Sequence, residues 1–170
     1  ATGVRLTHRS PDGHMGYPGN VDFSVEMQLS GAKLRMVMVG TPDRETPINL
    51  AQHNYYTLGA NGVRDMVFHA AASQYTPTDD SLRPTGQIAP VAGTQYDFRV
   101  PTTSRAVDPE EKGIDINLVL DKGRPAAVPC CVLRNPDNDV VMQMWTDQPG
   151  LQVFNTWHFR FDAAHHDGLM

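Results

Sequence analysis

Apolar and polar residues alternate over Val21–Leu29, where Val21, Phe23, Val25, Met27 and Leu29 are interleaved with Asp22, Ser24, Glu26 and Gln28. A period of two is the signature of a strand with one buried and one wet face. Ser30-Gly31 supplies a tight turn and Lys33–Val39 alternates again, so Val21–Val39 is predicted to form an antiparallel hairpin. Further short strands are predicted at Val4–His8, Asn49–Thr57, Met66–Ala71, Ile116–Leu120, Ala127–Leu133, Val140–Thr146, Leu151–Phe154 and Trp157–Phe161. No segment sustains a helical period, and 14 Gly and 13 Pro residues interrupt the apolar runs along the whole chain. Connections this short leave no room for crossover helices, so the expected fold is an all-β, antiparallel sandwich, a single domain over residues 1–170. Tyr75–Arg99 stands apart. Its Pro77, Pro84, Pro90, Gly86 and Gly93 predict an ordered loop across a sheet edge rather than a pair of strands.

Composition narrows the function classes. With 14 Lys plus Arg against 19 Asp plus Glu, a formal charge of -5 and no basic stripe, nucleic acid is not an expected partner. No apolar run approaches the length that crosses a bilayer, and no secretory signal precedes the first strand, so no membrane insertion is expected. The only cysteines are Cys130 and Cys131. Adjacent strand positions would send their thiols to opposite faces, so no disulfide framework is expected, which suits a reducing compartment and a cytoplasmic location.

The segment Asn49-Leu50-Ala51-Gln52-His53-Asn54-Tyr55-Tyr56-Thr57-Leu58 has the make-up of an acid–base site. A histidine titrates near neutrality, flanking amides can fix its tautomer, and tyrosine faces can stack on a ligand. In isolation such a histidine is more often a structural one satisfied by its neighbours. Other candidates have bland explanations. Asp79-Asp80 reads as turn capping. His158, His165 and His166 lack a convincing metal-ligand spacing. Met27, Met36, Met38, Met142 and Met144 fall at alternate strand positions and read as core filling, and Glu110-Glu111-Lys112 reads as a solvated loop.

The order of short motifs raises the odds for His53. Ser10-Pro11-Asp12-Gly13 runs into Gly16-Tyr17-Pro18-Gly19, followed by Thr46-Pro47-Ile48-Asn49-Leu50, Tyr75-Thr76-Pro77-Thr78-Asp79 and Pro84-Thr85-Gly86-Gln87-Ile88. Pro90-Val91-Ala92-Gly93-Thr94, Asp97-Phe98-Arg99, Gly113-Ile114-Asp115 and Gln148-Pro149-Gly150-Leu151-Gln152 complete the series. Together they resemble the aldose 1-epimerase, or galactose mutarotase, family over roughly residues 3 to 155. The resemblance implies a sandwich with a sugar site on the concave face of a large antiparallel sheet. It implies interconversion of the α and β anomers of a hexose such as galactose or glucose, with no metal and no cofactor. His53 would donate a proton to the ring oxygen, Asp115 would hold sugar hydroxyls, and Asn54, Tyr55 and Gln152 would line the site.

The departures from that pattern matter equally. The family's glutamate base has no counterpart among residues 1–170, and neither do its upstream sugar-contacting arginine and second histidine. The His166–Met170 run resembles the stretch just before the family's Leu-Glu-Thr-Gln motif. The chain therefore reads as the family's central portion, with activity expected to be impaired if it is complete as given. Ile116 replaces the histidine usual after the motif aspartate and is expected to remove one polar contact. Gln148 replaces an acidic residue, and Trp157 either fills the site or offers a stacking face. The alternative expectation is an inactive carbohydrate-binding or structural subunit of a larger assembly, with a protein partner covering exposed sheet edges.

Overall fold

The computed structural model describes residues 2–59 and 62–156. In chain order these form β1 (Thr2–Ser10), β2 (Val21–Ser30), β3 (Lys33–Pro42), β4 (Val67–Ala70), β5 (Gln74–Thr76), β6 (Ala89–Pro90), β7 (Thr102–Thr103), the single-turn helix α1 (Ser104–Val107), β8 (Asp115–Val119), β9 (Cys131–Arg134), β10 (Val141–Met144) and β11 (Gly150–Phe154). Every strand pair is antiparallel. No helix among the described residues is long and apolar enough to cross a membrane. The chain divides into two compact units, Ala1–Tyr55 and Tyr56–Met170.

The first unit is built on one three-stranded sheet in the order β1-β2-β3. The predicted hairpin is present, with Val25 opposite Met38 and Met27 opposite Met36, and β1 adds Val4 opposite Met27 and Leu6 opposite Val25. This register gathers most of the apolar side chains on one face, while Val37 and Val39 fall on the other. The other face carries Arg5, Arg9, Asp22, Glu26, Lys33 and Arg35, with Arg9 bonded to both carboxylate oxygens of Asp22 at 3.2 Å and Arg5 3.6 Å from Glu26. The expected burial of the apolar face holds only at its start: Val21 is buried, Phe23, Val25 and Met27 are half-buried, and Leu29 is exposed. Alternation specifies which side of a sheet is apolar, not how far a second layer covers it.

Two loops close that unit through carboxylates. Asp12 accepts from the Gly19 N–H at 2.7 Å and pairs with Arg44, while Asn20 donates its side-chain amide to Asp43 at 2.6 Å and its backbone N–H to the same carboxylate at 2.9 Å. Gly19 adopts a φ of 83°, and a Cβ there would meet the Arg44 Cγ at 2.7 Å, so the motif glycine is required both by backbone conformation and by space.

The second unit is a sandwich of two four-stranded sheets, ordered β10-β9-β4-β7 and β11-β8-β5-β6. Between them lie Ala70, Phe98, Ile114, Ile116, Leu118 and Cys131, with Phe68, Met144, Leu151 and Val153 packed against that core. The Phe68 and Phe98 rings meet edge-on, 5.1 Å apart, an arrangement favoured by the ring quadrupoles. Asn135 is fully buried, accepts from the Asp137 N–H at 2.9 Å and donates to the Leu58 carbonyl at 3.1 Å.

Four expectations need correction. Asn49–Thr57 is not a strand: no ladder partner lies beside it among the described residues, and without one its mix of apolar and amide residues has nothing to alternate against. Tyr75–Arg99 is mostly turns, but its beginning does pair, since Gln74 sits opposite Pro90 and Tyr75 opposite Ala89. Pro90 is tolerated there because β6 is an edge strand, where its missing N–H costs no ladder bond. Third, the thiols of Cys130 and Cys131 do not diverge. Cys130 lies in a bend just before β9, so strict alternation does not apply, and the two side chains hydrogen-bond. That bond, aided by Arg124, pulls the Cys130 thiol down to about 7, while the same contact and burial push Cys131 up. Fourth, Glu111 is not simply solvated, because it pairs with the largely buried Arg64. The predicted strand Trp157–Phe161, with His158, His165 and His166, lies outside the described residues.

Candidate functional site

Strand β8 shows how the pleat sorts function from core. Ile116 and Leu118 point inward and are 3% and 0% exposed, whereas Asp115, Asn117 and Val119 take the opposite face. On one side β11 runs antiparallel, with Gln152 opposite Asn117 and Phe154 opposite Asp115. Its own alternates, Leu151 and Val153, pack on the core, so Gln152 shares the outer face with Asp115. On the other side β5 places Thr76 opposite Asn117. A polar row of Gln152, Asn117 and Thr76 thus crosses three strands, with Asp115 one step along the central one.

Within this face the Gln152 side-chain amide donates to Asp115 Oδ1 at 2.7 Å. The two residues are diagonal neighbours across the strand pair, a distance that a long side chain spans. The bond fixes the orientation of both groups. It leaves Asp115 Oδ2 and the Gln152 carbonyl oxygen as outward acceptors on exposed residues, which is the chemistry that takes hydroxyl protons from a polyol. Asp115 and Gln152, named separately from the sequence, thus share one exposed strand face and a hydrogen bond.

Ile116 behaves differently from expectation. It faces the core, so its replacement of a histidine does not take a polar group from the face that Asp115 occupies. The pleat, not the motif position, decides what a side chain touches.

His53, Asn54 and Tyr55 belong to the end of the first unit and are all exposed. The His53 ring meets the Tyr55 ring edge-on, with centroids 5.6 Å apart and planes at 75°. Among the described residues the imidazole makes no hydrogen bond, so the flanking amides do not fix its tautomer as expected.

Asn117, Thr76 and Gly150 were not expected at the site, although Thr76 and Gly150 fall within the motifs that carry the family resemblance. Asn117 was within reach of the period-two rule, since it follows Asp115 by two residues. Thr76 could be placed only by register. Asp79, in contrast, does what its loop suggests: its Oδ1 accepts from the Ser81 and Arg83 N–H groups at 2.8 and 3.0 Å. A shallow hollow of about 410 Å³ on the polar face of the first sheet, lined by Arg5, Thr7, Arg9, Asp22, Ser24 and Thr41, contains none of the expected site residues. No group of three or more His, Cys, Asp or Glu able to hold a metal occurs among the described residues.

Two face-to-face antiparallel sheets, with polar side chains projecting from strand positions rather than from loops alone, define the second unit as a β-sandwich carrying a strand-borne polar face. The aldose 1-epimerase family profile matches residues 1–169, and the chain belongs to that family. It is 34% identical over 157 residues to the galactose mutarotase of Mus musculus, covering 89% of this chain and 46% of that protein. It is 31% identical over 161 residues to the aldose 1-epimerase of Haemophilus influenzae, covering 89% and 47%. The crystal structure of galactose 1-epimerase from Lactobacillus acidophilus NCFM matches with a TM-score of 0.81 at 27% identity, over 92% of this chain and 48% of that one. The chain spans about half the length of the curated relatives it matches.

Proposed function

We propose that residues 1–170 carry the sugar-holding face and the proton donor of an aldose 1-epimerase that interconverts the α and β anomers of galactose or glucose. The observation that carries this reading is the 2.7 Å bond from Gln152 to Asp115 on an exposed strand face, in a chain of this family. Asp115 and Gln152 bind sugar hydroxyls, with Asn54 and Tyr55 as further lining residues. His53 protonates the ring oxygen while a base removes the anomeric hydroxyl proton. The ring opens to the aldehyde, the C1–C2 bond rotates, and closure on the other carbonyl face gives the second anomer. Each positioned proton transfer contributes about 10²–10⁴-fold, and one group cannot serve both oxygens at once. The steps are proton movements throughout, so a hexose is the only small molecule they call for. The proposed location is the cytoplasm, where the unpaired Cys130 and Cys131 would stay reduced.

The test has two arms. Isothermal titration of residues 1–170 with millimolar galactose is expected to give binding heat that Asp115→Ala abolishes. Polarimetry on freshly dissolved α-galactose is expected to show no acceleration over buffer, because no residue of this sequence stands at the family's glutamate. Acceleration lost in His53→Ala would overturn the second statement, and absence of heat the first. The exposed Val4, Leu6, Leu29 and Leu34 of the first sheet favour a second reading, in which the chain is a structural subunit whose apolar face a protein partner covers. Absence of galactose heat would favour it over the first.

A further inference from the structure

Asn117 occupies the centre of the polar face yet has no role in the bonds described above. Gln152 and Thr76 are its register partners on the two sides, and Asp115 is two residues before it on the same strand. It is half-buried, and among the described residues its carboxamide makes no hydrogen bond. Its polar atoms reach solvent, so the amide is open to a ligand hydroxyl that replaces water there.

The reason the amide lies where it does is Gly150. A Cβ built on Gly150 would fall 3.0 Å from the Asn117 Oδ1 and 3.1 Å from its Nδ2. Gly150 has no positive φ to require a glycine, so its role here is space: the missing side chain lets the carboxamide rest over the β11 backbone. Gly150 and Gln152 are alternate residues of one strand, and one strand thereby places both the amide that binds Asp115 and the gap that receives Asn117.

We propose that Asn117, held over Gly150, is a sugar-hydroxyl ligand that acts with Asp115 and Gln152 to read adjacent hydroxyls of an aldopyranose. The inference rests on the proposed sugar-binding function of the same face and adds to it a residue and a chemical criterion. A sugar hydroxyl both donates and accepts. Asp115 Oδ2 is acceptor-only and takes a hydroxyl proton, whereas the Asn117 amide offers two N–H donors and a carbonyl acceptor, so it completes the hydrogen bonding that a carboxylate alone leaves unmet. Loss of one such neutral bond from a hydroxyl weakens binding roughly tenfold.

The test is titration of the 170-residue chain with galactose and with a series of monodeoxygalactoses, each lacking one hydroxyl. Asn117→Ala is expected to weaken galactose binding about tenfold while leaving the affinity for one monodeoxy sugar unchanged from wild type, because that sugar lacks the hydroxyl in question. Gly150→Ala is expected to reproduce the loss when Asn117 is present and to add little in an Asn117→Ala background. A purely structural role for Asn117 would instead weaken all the sugars equally and lower the thermal midpoint; that result, or wild-type galactose affinity in Asn117→Ala, overturns the proposal. Asn117→Asp, similar in size, keeps the fold testable and is expected to lose the donor-dependent hydroxyl only. If the wild-type chain binds no aldose, the broader sugar-binding reading falls together with this one. If it binds and Asn117→Ala is silent, only this inference falls.

Discussion

The first sheet and the second-unit sandwich use the same extended backbone and bury very different amounts of it. Strands β1, β2 and β3 are nine or ten residues long, whereas β4 to β11 run from two to five. The long strands nevertheless contribute only Val21 to the buried apolar residues, while the short ones contribute Ala70, Ile116, Leu118 and Cys131. Ladder length therefore does not measure stability. A backbone hydrogen bond replaces one made to water and nets about 1 kcal/mol, whereas apolar burial adds roughly 25 cal/mol for every Å² removed from solvent. Short strands that face a second layer can hold a molecule together more firmly than long ones that face water.

The largest expected contrast comes from one leucine in each region. Leu118→Ala removes a side chain with 0% exposure from between the sheets and should cost about 2–5 kcal/mol. Leu6→Ala, at 54% exposure, should cost less than about 1 kcal/mol. Urea unfolding of both variants measures the difference, and equal losses would break the comparison.

Polar contacts should rank the same way by smaller amounts. Asn135→Ala removes a fully buried side chain with its bonds to the Asp137 N–H and to the Leu58 carbonyl, which keeps the Asn138 amide as a donor, and should cost about 0.5–1.5 kcal/mol by the same measurement. Arg9→Ala, which removes an exposed pair with Asp22, should change stability by only a few tenths of a kcal/mol, roughly the worth of a surface ion pair.

The smallest effect belongs to the loop clasp of the first unit. The Gly19 N–H and the Arg44 guanidinium hold the Asp12 carboxyl below its ordinary range, and the Asn20 amides do the same for Asp43. A carboxyl whose value is lower in the folded chain favours folding above its unfolded value of about 3.9. That contribution is lost as pH falls through the lower folded value. In an NMR titration the Gly19 amide resonance should keep its bonded position through pH 5 and shift only at the acid end. A shift centred near neutrality would show that another group controls the clasp.

What could be read from the residues alone divides along the same line between local and distant causes. Alternation located β2, β3, β4, β8, β10 and β11 because a half-buried strand records its own environment every second residue. It misjudged Asn49–Thr57, whose pattern resembles a strand but lacks a neighbour, and it overlooked β5 and β6, too short to show any period. The strand expected from Ala127 begins only at Cys131: the Val128 N–H is taken by the Pro125 carbonyl in a turn, and Pro129 has no N–H to give a ladder. Asp115 and Gln152 were named from the family resemblance, but the bond between them was not foreseen. It depends on a diagonal between strands 37 residues apart in sequence, which only the register sets. The contact between the two thiols was hidden for a related reason, since one bend suffices to cancel the alternation that separates neighbours.

The charge arrangement of the first sheet carries one more consequence. Its outer strands, β1 and β3, present Arg5, Arg9, Lys33 and Arg35 and no acidic side chain, while Asp22 and Glu26 sit on the middle strand. Where Lys33 or Arg35 of two molecules met border to border, cation would approach cation, while Arg5 and Arg9 are offset by Glu26 and Asp22 of the middle strand. Unpaired strand borders are where polymerisation begins. Lysine and arginine side chains on such a border oppose that pairing, the more so where no carboxylate stands beside them.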